Sequence, residues 1–126
     1  MIRHLDHLVL TVKNIEATLQ FYENVLGMRV ETFGEGRKSL HYGQQKINLH
    51  EVGHEFEPKA NVPQPGSADL CFIIDRSLEK VMIHLHQLGI ELEEGPVQRT
   101  GAMGKIASVY IRDPDGNLIE LSEYLE

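Results

Sequence analysis

The 126-residue sequence contains no tryptophan, one cysteine (Cys71) and only 6% aromatic residues. One cysteine excludes an internal disulfide and any zinc site built on a CxxC pair. No apolar run approaches the roughly 20 residues a membrane helix needs. Cations are in deficit, with 12 Lys and Arg against 19 Asp and Glu for a formal charge of −7. A nucleic-acid binder would carry a basic patch, and an anionic membrane would be approached by excess positive charge, so neither partner is expected. The opening Met1-Ile2-Arg3-His4-Leu5-Asp6-His7 lacks the apolar middle of a secretion signal, and a cytoplasmic location is expected. What remains suffices for one domain: 41% of residues are apolar, enough for a core without covalent staples.

The chain repeats itself. LDHLVLTV (Leu5–Val12) is rich in β-branched and apolar residues and reads as a strand. Asn14 is placed to cap a helix to Leu26, with Ile15, Leu19, Tyr22 and Leu26 as its buried stripe and Gly27 as terminator. Strands follow at Arg29–Phe33, Ser39–Tyr42 and Lys46–Glu51, punctuated by Gly34, Gly36 and Gly43. A linker bearing Pro and Gly (Glu57–Gly66) separates this first module, residues 1–56, from a second at 67–126. There ADLCFII (Ala68–Ile74) is a strand, and Ser77 caps a helix whose stripe is Leu78, Met82, Leu85 and Leu88, ending at Gly89. Strands at Ile90–Glu93, Lys105–Arg112 and Leu118–Tyr124 complete a second βαβββ. The expected architecture is α+β: a single domain of two tandem βαβββ modules whose curved mixed sheets form a cleft. Asp113-Pro114-Asp115-Gly116-Asn117 lacks the spacing of a calcium loop and reads as a hairpin turn.

Laying one half over the other aligns LDHLVL with SADLCF and KINLHEV with LIELSEY. His7 then falls opposite Asp69, Asn48 opposite Glu120, and His50 opposite Ser122. Polar groups recurring between large apolar residues are costly unless they meet partners. Two modules related by a pseudo-twofold axis would bring these positions into one cleft. A His, two carboxylates and an amide or second His there describe a site for a divalent metal.

The paired βαβββ plan resembles the vicinal oxygen chelate superfamily, which includes glyoxalase I, fosfomycin-resistance proteins, methylmalonyl-CoA epimerase, extradiol dioxygenases and bleomycin-resistance proteins. The residues that carry the resemblance are Leu5-Asp6-His7-Leu8-Val9-Leu10, Phe21-Tyr22 with Val25-Leu26-Gly27-Met28, and Asp113-Pro114-Asp115-Gly116-Asn117-Leu118-Ile119-Glu120-Leu121. NLHEVGHEFEPKA and GPVQRTGAMG are similar to a glyoxalase-domain-containing branch whose bacterial members are sometimes called virulence-associated or dioxygenase-related. The resemblance implies metal ligands at His7 and Glu120. Asp69 stands where the family usually has His, and Asn48 where glyoxalase I has Glu or Gln; His50, two residues on, points from the same strand face. The set His7, Asp69, Glu120 and His50 suits Mn(II), Fe(II), Ni(II) or Zn(II) without choosing among them.

The activity implied is a metal-dependent lyase or isomerase of the glyoxalase I type, acting on a small molecule with vicinal oxygens and stabilising an enediolate. Glu120 would double as the base, with His50 as rival base. Tyr110 would donate its hydroxyl to a substrate oxygen, with Asn48 contacting substrate. Arg99 and Lys105 flank a loop containing Gly101 and Gly104 that reads as a lid for an anionic substrate. The alternatives are an extradiol Fe(II) dioxygenase using His7, His50 and Glu120, and a bleomycin-type binding module without a metal. A fosfomycin-type transferase is disfavoured by Val9, where that group places a Thr. A homodimer is expected from the resemblance. Other readings are plainer: His84 and His86 as surface residues, and Cys71 as an inert buried thiol.

Overall fold

In the computed structural model, which describes all 126 residues, Asn14 accepts a hydrogen bond from the Ala17 N–H at 2.9 Å and starts helix α1 (Ile15–Asn24). Ser77 does the same for α2 (Leu78–Gln87) through the Lys80 N–H. Both helices stop at the glycines the sequence marks. Gly89 takes a left-handed φ of +72° while the Gly89 and Ile90 N–H groups donate to the carbonyls of His86 and Leu85. That pair of bonds satisfies carbonyls a helix end would otherwise leave bare. The buried stripe of α2 is Leu78, Val81 and Leu85 rather than the expected Leu78, Met82, Leu85 and Leu88. Leu88 is the C-cap, where the chain has already left helical geometry, and it is exposed. Replacing Asn14 by alanine removes the acceptor for an otherwise unpaired helix donor. A loss of about 1 kcal/mol is expected, read as a lower urea midpoint at unchanged slope.

The chain divides into two units, Met1–Ser67 and Ala68–Glu126. The first holds β1 (His7–Val12), β2 (Arg29–Phe33), β3 (Arg37–Tyr42) and β4 (Gln45–Glu51), in sheet order β1-β4-β3-β2. The second holds β5 (Asp69–Ile73), β6 (Glu94–Gly101), β7 (Gly104–Arg112) and β8 (Leu118–Tyr124), in order β5-β8-β7-β6. Each is a βαβββ module, the α+β plan read from the sequence. In each, the first strand lies parallel to the last and the other pairs are antiparallel. Even the registers agree: Leu8 pairs with Ile47 as Leu70 pairs with Ile119, and Val9 with Asn48 as Cys71 with Glu120.

Alternation along the strands gives each sheet an apolar face and a mixed, largely polar one. Leu10, Val12, Leu40, Ile47 and Leu49 are buried in the first unit, where α1 packs on β2, β3 and β4. Val109, Ile111, Ile119 and Leu121 are buried in the second, where α2 packs on β7 and β8. The remaining side chains of these strands point away from the helix. They include every residue the sequence offers as a metal or substrate ligand except Lys105, which alternates with Val109 and Ile111 onto the other face.

Two expectations fail in β6. The strand expected at Ile90–Glu93 begins later, at Glu94, and the lid expected over Arg99–Lys105 is not a loop. Arg99 pairs with Ile106 and Thr100 with Lys105, so β6 and β7 form a hairpin that turns at Ala102-Met103. The two glycines bracket that tight turn; they do not loosen a flap. Gly95-Pro96 is accommodated within the strand as a bulge: Glu94 pairs with Tyr110 and Val97 with Ser108, leaving two residues opposite one.

The Asp113–Asn117 segment is the expected turn, and its chemistry is complete. Asp113 Oδ1 accepts from the N–H groups of Asp115 and Asn117, and Oδ2 accepts from Asn117 Nδ2. Asn117 Oδ1 in turn accepts from the Ala68 N–H, fixing the start of β5 beside β8. No helix is long and apolar enough to cross a membrane.

Candidate functional site

On the polar face of the second unit, β8 presents Glu120 between Ile119 and Leu121. The Ser108 hydroxyl, on neighbouring β7, donates to Glu120 Oε2 at 2.6 Å, and the Ser122 hydroxyl reaches the same oxygen at 3.4 Å. The two serine oxygens are themselves 2.6 Å apart, and both residues are fully buried. Glu120 is therefore oriented by hydroxyls, and its negative charge is not neutralised by an ion pair within the unit. Tyr110 is its direct partner across the β7–β8 ladder. The Tyr110 oxygen accepts a hydrogen bond from Arg99 Nε at 3.1 Å, which leaves its own proton available to donate. Burial pushes the phenol above its ordinary pKa, against the pull of Arg99, so it acts as a donor and not as a base. Arg99 is also held by Glu94 at 2.6 Å. Lys105 and Asp69 are exposed, and no hydrogen bond or ion pair holds either side chain.

Cys71 corrects an expectation. It is exposed, because β5 ends its sheet and alternation turns residues 69, 71 and 73 away from the helix. Its sulfur lies 3.4 Å from the Ser122 hydroxyl.

In the first unit, His7 is exposed at the start of β1, with Nδ1 hydrogen-bonded to Asp6 Oδ2 at 2.8 Å. A carboxylate on one ring nitrogen is the arrangement that fixes a ligating imidazole and leaves Nε2 to face a metal. Asn48 and His50 sit on β4, across from Val9 and Thr11 of β1. Both are buried, at 6% and 2% exposure, and both carry a polar atom with no partner: Asn48 Oδ1 and His50 Nδ1. Burial holds the His50 imidazole below its ordinary pKa, and the nearby Arg37 cation pushes it the same way. Phe56, just beyond β4, packs edge-on against His50 with centroids 5.6 Å apart.

Single side chains keep donor capacity of the kind a divalent ion takes: in the first unit the pinned His7 imidazole, the unmet Asn48 Oδ1 and the unmet His50 Nδ1, and in the second the hydroxyl-oriented Glu120 carboxylate. No group of three or more His, Cys, Asp or Glu side chains able to hold a metal is found in the chain. Within the second unit the structure brings together Glu120, Tyr110 and Arg99; within the first, Asn48 and His50 share one strand face. Sequence reading missed Ser108 as the holder of Glu120, although a lone serine in the apolar run IASVYI, in step with Tyr110, was a usable signal. It also missed Arg37 and Phe56, which lie beside His50, and Phe33, on whose ring Arg37 also stacks.

Residues 4–121 match the model of the Glyoxalase/Bleomycin resistance protein/Dioxygenase superfamily. The chain is 59% identical over 123 residues to the glyoxalase domain-containing protein RDO1 of Mycosarcoma maydis, covering 98% of this chain and 69% of that protein. It is 58% identical to virulence protein STM3117 of Salmonella typhimurium, covering 99% and 87%. The crystal structure of that Salmonella protein superposes with a TM-score of 0.98 over 99% of both chains. A lactoylglutathione lyase of Neisseria meningitidis is 29% identical over 122 residues, covering 90% of this chain and 86% of that enzyme. The pairing of β1 with β4 and of β5 with β8, with Glu120 held in the last strand, thus has a family behind it, and the chain belongs to the glyoxalase/bleomycin resistance/dioxygenase superfamily.

Proposed function

We infer that the protein is a divalent-metal-dependent lyase or isomerase of the glyoxalase I type, acting on a small substrate with vicinal oxygens. The observation that carries this reading is Glu120: a carboxylate in the middle of a half-buried strand, aimed by two serine hydroxyls and left without a cation. A structural carboxylate would be expected to find Arg or Lys; one kept oriented and un-neutralised is suited to a metal or to a proton. The likeness to a lactoylglutathione lyase supports the same class.

In this reading His7, Asp69 and Glu120 are the metal's donors, and Asp6 sets the tautomer of His7. The ion, when bound, supplies Lewis-acid polarisation of two neighbouring substrate oxygens. Ser108 and Ser122 hold Glu120 Oε2 so that the carboxylate is placed to take the substrate proton. Tyr110 donates its O–H to the oxygen on which negative charge grows. Asn48 and His50 contact the substrate.

The test is metal content by mass spectrometry on untagged protein incubated with Mn(II), Fe(II), Ni(II) or Zn(II). About one ion per chain is expected, with His7→Ala and Glu120→Ala each retaining less than about a tenth of it, since losing a ligand, or even a group that orients one, costs tenfold or more in affinity. Failure to retain any of the four ions overturns the reading. Selective retention of iron, with ring cleavage of a catechol, replaces it with the dioxygenase reading.

A further inference from the structure

The polar face of the first unit holds a cation that nothing neutralises. Arg37, at the start of β3, stacks its guanidinium 4.5 Å from the Phe56 ring centroid and 5.0 Å from that of Phe33. Such contacts fix the plane of the group and leave its charge intact. No carboxylate pairs with Arg37, although acidic residues outnumber basic ones 19 to 12. Its Nε is buried and has no hydrogen-bond partner. The antiparallel register pairs Ser39 with Asn48, and Arg37 and His50 both pack against the Phe56 ring, at 4.5 and 5.6 Å from its centroid. Ser39 is no substitute partner, since its hydroxyl is engaged with His41 Nε2 at 2.9 Å.

Three neighbouring side chains therefore each keep a buried polar atom in reserve: Arg37 Nε–H, His50 Nδ1 and Asn48 Oδ1. An unmet buried donor or acceptor is destabilising, so three on one face of the sheet make a site that a ligand would stabilise. Their chemistry is not uniform. Arg37 can only donate, and carries charge; His50 donates wherever its Nδ1 bears a hydrogen; Asn48 Oδ1 can only accept. The complement is an anionic oxygen with a hydroxyl beside it, flanked by something apolar to meet Phe33 and Phe56.

We propose that this face is the substrate's anchoring subsite and that the substrate is a small 2-hydroxycarboxylic acid, its carboxylate gripped by Arg37 and His50 and its hydroxyl donating to Asn48. This rests on the reading above that the protein handles vicinal oxygens, and names the class of molecule that bears them: the carboxylate and the adjacent hydroxyl. The aromatic walls favour a side chain of a few carbons over the bare two-carbon acid.

The experiment is an NMR titration of metal-free protein, prepared with EDTA, using 2-hydroxybutyrate as probe. Butyrate lacks the hydroxyl and 2-hydroxybutyramide lacks the charge. Saturable shifts of residues around Phe56 are expected with 2-hydroxybutyrate, and at least tenfold weaker binding of either control. Arg37→Gln is expected to weaken 2-hydroxybutyrate tenfold or more and to leave the amide unaffected. Asn48→Ala is expected to erase the preference over butyrate. Phe56→Leu, an apolar substitution at an exposed position outside the strands, guards against misfolding of the strand variants and is expected to weaken the probe severalfold. Equal binding of all three compounds, an unchanged affinity in Arg37→Gln, or no binding at all overturns the proposal. Metal retention without probe binding sinks this inference alone; probe binding without any metal retention sinks the catalytic reading alone.

Discussion

Gly95→Ala is expected to lower the melting temperature by roughly 15 °C, from a cost of about 4 kcal/mol at about 4 °C each. A Cβ at this position would sit 2.5 Å from the Ser108 carbonyl oxygen and 2.9 Å from Val109 Cα. Both are backbone atoms of β7, a strand hydrogen-bonded on both sides, so neither can step aside without breaking a ladder. The backbone conformation adds to this, because φ at Gly95 is +109°, a region that L side chains strongly disfavour. Steric overlap and strain at such a site each cost about 1–3 kcal/mol, against a total stability of about 5–15. Gly104→Ala is the control: φ is +145° there, but nothing lies within 4 Å of the added atom, and a much smaller loss is expected. Because the clash falls on Ser108, the residue that aims Glu120, any folded Gly95→Ala protein should also retain less metal. A melting temperature within 3 °C of the parent, measured by circular dichroism, would show that the bulge is not the tight contact described.

Asp113→Ala is expected to cost about 3 kcal/mol. The carboxylate is 6% exposed and satisfies three donors, two backbone N–H groups and the Asn117 amide. Alanine leaves those donors bare in a buried turn, each at about 1–3 kcal/mol before local relaxation. The damage should spread. Asn117, 1% exposed, is the group that accepts from the Ala68 N–H, so without Asp113 to orient it the start of β5 loosens. Two readouts separate this from a general loss of stability. Urea unfolding gives the overall cost, and amide exchange should show Ala68 losing protection by a larger factor than residues 106–111. Asp113→Asn keeps one oxygen acceptor but turns an NH2 group toward the Asn117 amide, and is expected to recover about half the loss. Parent-like exchange at Ala68 in Asp113→Ala would mean that the turn is held by other means.

Much of this architecture was legible because the chain states it twice. Alternation, two N-caps and two terminating glycines fix the elements of each half, and overlaying the halves gives the pairing of first strand with last. The register then sets Asn48 and Glu120 at matching points, as the overlay requires. The misreadings share a cause. A glycine does not by itself mark a loop: Gly101 and Gly104 bracket a two-residue turn where a lid is expected, and Gly95-Pro96 lies inside β6 as a bulge. Backbone conformation alone decides between a loop glycine and a strand glycine, and composition does not carry it. The site was legible only where spacing was informative. Asn48, His50 and Glu120 announce themselves as polar residues in apolar strands. Arg37 follows Gly34 and Gly36 and looks like part of a turn, and Phe56 stands beside a proline linker. Their place beside His50 comes from tertiary packing.

The strand order of each unit also sets a sequence of events. His7 pairs with Lys46 and Asp69 with Leu118, so each sheet is closed by residues 39 (46 − 7) and 49 (118 − 69) positions apart. A strand emerging first from the ribosome thus has no partner until the end of its own module has been made, and it must be joined in parallel over a long loop. Such closure is entropically costly and slow compared with hairpin formation. The β2–β3 and β6–β7 hairpins can zip early; β1 and β5 wait. The first module can nonetheless finish while the second is still being translated, because its closing strand ends at Glu51. Synthesis from the N-terminus therefore presents one closed sheet and one open sheet in turn, and the two like edges are never unpaired together for the whole of elongation.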